Sequence, residues 1–148
     1  MYPDSHVVAD GEFLLRKFDP DFLMVHTMFI DYIGHIFGCD SKEYENSVAL
    51  TGNVLAAPLT HWVEAGYNVV ITADHGMNRM GMHGGTDEIQ RDTPLYIFSN
   101  QIQNGRFEET YISQLNVAPL LCRLLGVDVP PTMKQQLEIG FGQPDEGK

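Results

Sequence analysis

Cysteine and positive charge are both scarce in this chain. Only two cysteines, Cys39 and Cys122, occur in 148 residues, far apart and outside any CxxC spacing, which argues against a disulfide framework. Lysine and arginine together number 9 against 20 aspartates and glutamates, a net charge of −11. That balance argues against a surface for a nucleic-acid polymer. No apolar run approaches the roughly 20 residues of a membrane-spanning helix, and there is no internal repeat or low-complexity tract. The opening Tyr2-Pro3-Asp4-Ser5-His6 is polar and lacks the apolar core of a secretory leader, which leaves the compartment open with the cytoplasm as the default. What is present is an ordinary globular composition, long enough for a single domain over residues 1–148. The Gly-, Pro- and charge-rich end from Gly140 to Lys148 reads as a disordered tail.

The apolar pattern alternates between strand-like and helix-like. A helix is expected from about Ala9 to Lys17, ended by Pro20. Residues 22–28 form a nearly continuous apolar run that suits a buried parallel strand, with His26 packed inside. Glu43 to Ala65 reads as a long helix with Tyr44, Val48, Leu55, Leu59 and Trp62 on one stripe, Pro58 as a kink or break and Gly66 as its stop. Val69 to Ala73 and Pro94 to Ser99 are the next strands. Asn116 is placed to cap a helix over Val117–Leu125, before the extended Pro130-Pro131. Strand–helix–strand order says α/β.

The chemistry gathers where these strands stop. Ile71-Thr72-Ala73-Asp74-His75-Gly76 ends a β-branched run on an acid and an imidazole, and His83-Gly84-Gly85 follows in a loop. Strand ends are where α/β proteins build their sites. Asp31 and His35 are four apart and share a face on a helical turn, able to grip one cation. Each feature has a plain counterpart: an exposed pair near a helix start, an Asp-capped turn, a surface loop histidine. Taken together, three histidines and two aspartates make the O/N mixture that suits Zn²⁺, with Mn²⁺ as the alternative. Ca²⁺ would require more carboxylates, and Mg²⁺ seldom takes imidazole. Five ligands exceed one tetrahedral catalytic site, so two divalent metal ions are expected, the pair that clamps an in-line displacement at phosphorus. Two such ions would bring the net charge from −11 to −7. Met77, Met80 and Met82 read equally as pocket lining or as loop packing.

The same residues carry a family resemblance. Asp31-Tyr32-Ile33-Gly34-His35, Thr72-Ala73-Asp74-His75-Gly76-Met77 and His83-Gly84-Gly85, in that order, resemble the alkaline phosphatase superfamily, and within it the nucleotide pyrophosphatase/phosphodiesterase branch. Arg91-Asp92-Thr93-Pro94-Leu95 and Asn116-Val117-Ala118-Pro119-Leu120-Leu121 are similar to that branch's closing segments, so the resemblance runs from Asp21 to Met133. It implies an αβα-layered α/β fold with a mostly parallel sheet. It also implies metal-dependent hydrolysis of phosphodiester or nucleotide pyrophosphate bonds in a small-molecule phosphoester. By resemblance Asp31, His35 and His83 hold one metal, and Asp74 and His75 hold the second. In the family the second metal also takes an aspartate from an earlier strand and a Thr or Ser nucleophile at a helix start. No such pair precedes Phe22, and Thr27, Ser41 and Thr86 lack that context. The chain is therefore expected to be the carboxyl-terminal portion of a catalytic domain, an incomplete fold with weak or no turnover of bis-p-nitrophenyl phosphate by itself. An uncovered sheet edge keeps a homo-oligomer open. Two other readings stand beside this one. Asp31 to His35 and Ala73 to Asn78 also look like a phosphonoacetate hydrolase that cleaves a C–P bond, and a non-catalytic metal-binding or interaction domain would keep the ligands without the nucleophile.

Overall fold

The computed structural model describes residues 4–105 and 111–133; the expected tail from Gly140 lies outside them. The chain divides into two compact units, with the boundary between Tyr96 and Ile97.

The first unit is built on helices. Helix α1 spans Asp4–Phe18, longer at its start than the pattern suggested, with Val8, Gly11 and Leu15 on its buried side. Helix α2 covers Phe29–Phe37 and α3 covers Lys42–Glu64. Ser41 starts α3: its hydroxyl accepts the Tyr44 amide at 3.1 Å and donates to the Gly38 carbonyl at 2.8 Å, satisfying one of the free N–H groups of a helix start. Pro58 lies inside α3 without breaking it. The buried stripe of α3 also departs from the expected one, because Val48 is 47% exposed while Ser47 and Thr51 are buried. Val8, Leu15 and Trp62 form the core of this unit, with Leu23, Val25, Val54, Leu55, Tyr67 and Val69 packed around them.

Residues 22–28 do not form the expected strand. The segment is extended and alternates, with Leu23, Val25 and Thr27 turned toward the protein and Phe22, Met24, His26 and Met28 exposed. His26 is thus a surface residue and not a packed one. A strand needs a hydrogen-bonded neighbour, and the strands among the described residues are β1 (Val69–Thr72) and β2 (Leu95–Phe98). These two pair with each other in a small antiparallel sheet. The expected mostly parallel sheet, with a crossover from residues 22–28, is therefore absent among the described residues. Their connection carries one short helix, α4 (Glu88–Arg91).

In the second unit a 3₁₀ turn, Gln114–Asn116, leads into α5 (Val117–Leu124). Asn116 does stand at the N-cap position, yet its side chain makes no capping bond. Ser113 instead caps the 3₁₀ turn, accepting the Leu115 amide at 3.4 Å. Leu120 and Pro119 are fully buried in this unit, and Gly126 takes a left-handed φ of 69° just after α5.

Candidate metal centre

The four-residue spacing of Asp31 and His35 is realised on α2, where Asp31 Oδ2 lies 3.4 Å from His35 Nε2. The other carboxylate oxygen, Oδ1, faces two more imidazoles: His75 Nε2 at 3.9 Å and His83 Nε2 at 3.7 Å. Asp31, His75 and His83 each offer a ligand atom, and these atoms lie within 4.8 Å of one another. The rings of His75 and His83 stack with centroids 3.8 Å apart and 15° between planes, and His35 stands 5.0 Å from His83, tilted by 53°. Asp74 sits at the rim: its side chain is 65% exposed and Oδ2 lies 3.6 Å from His75 Nε2. All five sequence-selected residues thus meet in one place, with the Asp31 carboxylate at its centre.

Backbone carbonyls set the ring orientations. His35 Nδ1 lies 2.7 Å from the Gly81 carbonyl and His75 Nδ1 lies 3.0 Å from its neighbour's, Gly76. A carbonyl only accepts, so these contacts place the donor N–H on Nδ1 and leave Nε2 as the atom turned to the site. That is the arrangement by which a second shell prepares histidine for a metal. Asp31 Oδ1 is buried and accepts no hydrogen bond, a costly position for a carboxylate oxygen without a positive partner. The donor set of two oxyanions and three imidazoles, with one orphaned oxygen pointing among them, fits a divalent cation of the Zn²⁺ type.

Close backbone contacts bring these elements together. Gly34, on α2, leaves room for Met77 and Tyr44: a Cβ there would stand 2.9 Å from Met77 Cε and 3.1 Å from Tyr44 Cε2. Burial pushes the Tyr44 phenol above its ordinary range, with the charges of Cys39 and Asp31 adding to the effect. Met77 is 3% exposed and serves packing, whereas Met80 and Met82 are 85% and 59% exposed. Gly81 sits against the end of α2 with φ 71°, and a Cβ there would lie 2.6 Å from the His35 carbonyl oxygen. Asn78 shapes the turn between: its side-chain oxygen accepts the amides of Met80 and Met82, both at 2.9 Å. Sequence reasoning did not single out Asn78, although an Asn followed closely by Gly81 is a turn signal. Asp4, whose carboxylate accepts the Met28 and Phe29 amides at the start of α2, was missed too, since a cap supplied from another helix leaves no local pattern.

Relatives include the catalytic subunit of human GPI ethanolamine phosphate transferase 2, 26% identical over 86% of this chain and 14% of that protein. The catalytic subunit of mouse GPI ethanolamine phosphate transferase 3 is 29% identical over 86% of this chain and 12% of its own length. GPI ethanolamine phosphate transferase 1 of Aspergillus oryzae is 26% identical over 79% of this chain and 14% of its own. The chain therefore spans about a seventh of the length of the curated relatives it matches. No solved structure matches it. Among the described residues, no helix is long and apolar enough to cross a membrane. The sequence profile that matches residues 4–105, a span holding the whole Asp31–His83 cluster, is that of the type I phosphodiesterase / nucleotide pyrophosphatases, and on that match the chain belongs to this family of phosphoester-acting enzymes in the alkaline phosphatase superfamily.

Proposed function

We propose that this protein acts on phosphodiester bonds of a small-molecule substrate at a divalent-metal centre held by Asp31, His35, Asp74, His75 and His83. The observation that carries the reading is the Asp31 carboxylate, whose buried Oδ1 accepts no hydrogen bond and faces the Nε2 atoms of His75 and His83. Zn²⁺ suits this donor set, with Mn²⁺ as the alternative. When bound, the cations supply positive charge against the oxygens of the phosphoryl group. The chain's own residues do the rest. Asp31 is the central anion, the Gly81 and Gly76 carbonyls hold His35 and His75 in the tautomer that exposes Nε2, and Asp74 extends the donor set to the rim.

The division of ligands implied by the resemblance, Asp31, His35 and His83 for one ion and Asp74 and His75 for the other, is part of this proposal. These side chains form a single cluster, in which Asp31 lies within 4 Å of all three rings. An αβα-layered domain of the alkaline phosphatase type is proposed for the complete protein. Hydrolysis and transfer share the displacement at phosphorus and differ only in the acceptor, water or a hydroxyl. The names of the relatives, ethanolamine phosphate transferases over 79–86% of this chain, favour transfer of an ethanolamine phosphate group as the second reading.

The test measures zinc and manganese affinity of this chain by chelator competition. It then compares turnover of bis-p-nitrophenyl phosphate, p-nitrophenyl phosphate and phosphonoacetate by the complete protein. Metal-dependent turnover with the diester foremost is expected, and transfer of ethanolamine phosphate from an added phosphoethanolamine diester to an added hydroxyl acceptor, with release of the donor's alcohol, would select transfer. Absence of metal binding, or a preference for phosphonoacetate, would overturn the proposal.

A further inference from the structure

One buried residue outside the ligand set touches both loops that deliver ligands, one through its backbone and the other through its side chain. Gln90, in the short helix α4, is 7% exposed. Its backbone carbonyl accepts the Gly76 amide at 2.9 Å, directly after His75. Its side-chain amide donates to the Met82 carbonyl at 3.0 Å, directly before His83. Gly85, two residues beyond His83, lies over the same carboxamide. A Cβ at Gly85 would stand 2.2 Å from Gln90 Oε1, and its other two nearest atoms would also belong to Gln90, at 2.9 and 3.1 Å. The second glycine of His83-Gly84-Gly85 thus leaves space for this glutamine.

Resting on the metal-centre reading above, we infer that Gln90 is a positioning residue that sets the separation of His75 and His83 by tying the turn after one to the residue before the other. The two rings lie face to face, 3.8 Å between centroids, while their donor atoms converge on one carboxylate oxygen. Small relative shifts of the two loops would therefore separate the donors. The Met82 carbonyl also accepts the Asn78 amide at 3.0 Å, so losing the Gln90 donor does not leave it unsatisfied. The cost of that loss falls on loop register more than on folding.

Variants at Gln90, Gly85 and His83 of this chain test the inference, read by zinc affinity, by the visible spectrum of the cobalt-loaded protein, which reports coordination number, and by metal-free thermal unfolding. Gln90→Met keeps the volume and removes the donor. It is expected to weaken zinc about tenfold, the lower range for loss of an outer-shell support, and to change the cobalt spectrum, with little change in metal-free melting. Gly85→Ala, whose nearest contacts are all with the movable carboxamide, is expected to give the same loss. Introduced into Gln90→Ala, where the space is free, Gly85→Ala is expected to add no further loss. His83→Ala separates the two levels of the argument. Should it leave zinc affinity unchanged, the metal-centre reading fails and this inference with it. Should it abolish binding while Gln90→Met and Gly85→Ala stay within twofold of the parent protein with an unaltered cobalt spectrum, the role of Gln90 is refuted and the centre stands.

Discussion

The carboxylate of Asp4, in the first turn of α1, caps the start of α2: Oδ1 accepts the Met28 amide at 3.1 Å and the Phe29 amide at 3.2 Å, and Oδ2 lies 3.2 Å from the same Phe29 nitrogen. Helix α2 has no capping side chain of its own, since its N-cap residue is Met28. A negative charge at this end also favours the helix dipole. The cap therefore stands two residues from Asp31, the central anion of the site. Asp4→Ala is expected to destabilise the protein by about 1–2 kcal/mol, the upper range for a cap, because Asp4 is buried. Asp4→Asn, which keeps an acceptor, should recover most of that loss in chemical denaturation. Equal losses in the two variants would show that the bonds to Met28 and Phe29 contribute little.

Zinc is expected to stabilise the folded chain. At a free concentration 100 times the dissociation constant the increment is about 2.7 kcal/mol by mass action, visible as a rise in melting temperature that EDTA reverses. His75→Ala and His83→Ala should each remove the increment while leaving metal-free melting nearly unchanged, because both side chains retain solvent exposure, 25% and 35%. A zinc shift that survives both substitutions would place the metal elsewhere.

Gly81→Ala is expected to damage fold and site together. The residue has φ 71°, and its new methyl would lie 2.6 Å from the His35 carbonyl oxygen and 2.8 Å from that of Gly34. Backbone atoms cannot move aside as a side-chain end can, so the loop must shift away from α2 and give up the bond that orients His35. A loss of about 2 kcal/mol in stability should be accompanied by weaker zinc binding. Gly84→Ala is the useful contrast. Its φ of 81° is equally left-handed but nothing lies within 4 Å of its Cβ, so strain without collision should leave His35 in place.

Acid stability is expected to depend on Glu12. Partial burial pushes its carboxyl up, but hydrogen bonds from Arg16 and Trp62, with the charges of Arg16 and His61, outweigh burial and hold it below 4.5. A carboxyl depressed in the folded state contributes stability that is present above its unfolded value, near 4.5. That contribution is lost as pH falls through the lower folded value. Glu12→Gln should therefore narrow the stability difference between pH 6 and pH 3 relative to the parent chain, measured by urea unfolding at each pH. An unchanged difference would mean that the Arg16, His61 and Trp62 contacts are spent in solvent.

The five ligand candidates were legible because their chemistry is local. An acid and an imidazole four residues apart on a helix, or adjacent at a strand end, present the same donors wherever the element is placed, and β1 does end just before Asp74-His75. The long helix α3 was legible from apolar periodicity, though its buried face runs through Ser47 and Thr51 in place of Val48, which apolar periodicity by itself does not mark. Residues 22–28 misled for the opposite reason. An apolar, β-prone run becomes a strand only when another strand supplies hydrogen bonds, and that partner is not encoded in the run.

The sequence by itself determined the family and the donor types, since Asp31, His35, Asp74, His75 and His83 announce themselves by residue type, order and spacing. Only the tertiary structure decided that the Asp31 carboxylate stands at the centre with one oxygen toward His35 and the other toward His75 and His83, and that Asp4 and Gln90 hold the helix and loops that bring them there. Ligand chemistry belongs to single side chains, whereas much of the support that positions ligands consists of contacts between residues 8 to 46 apart in sequence, which no local pattern records.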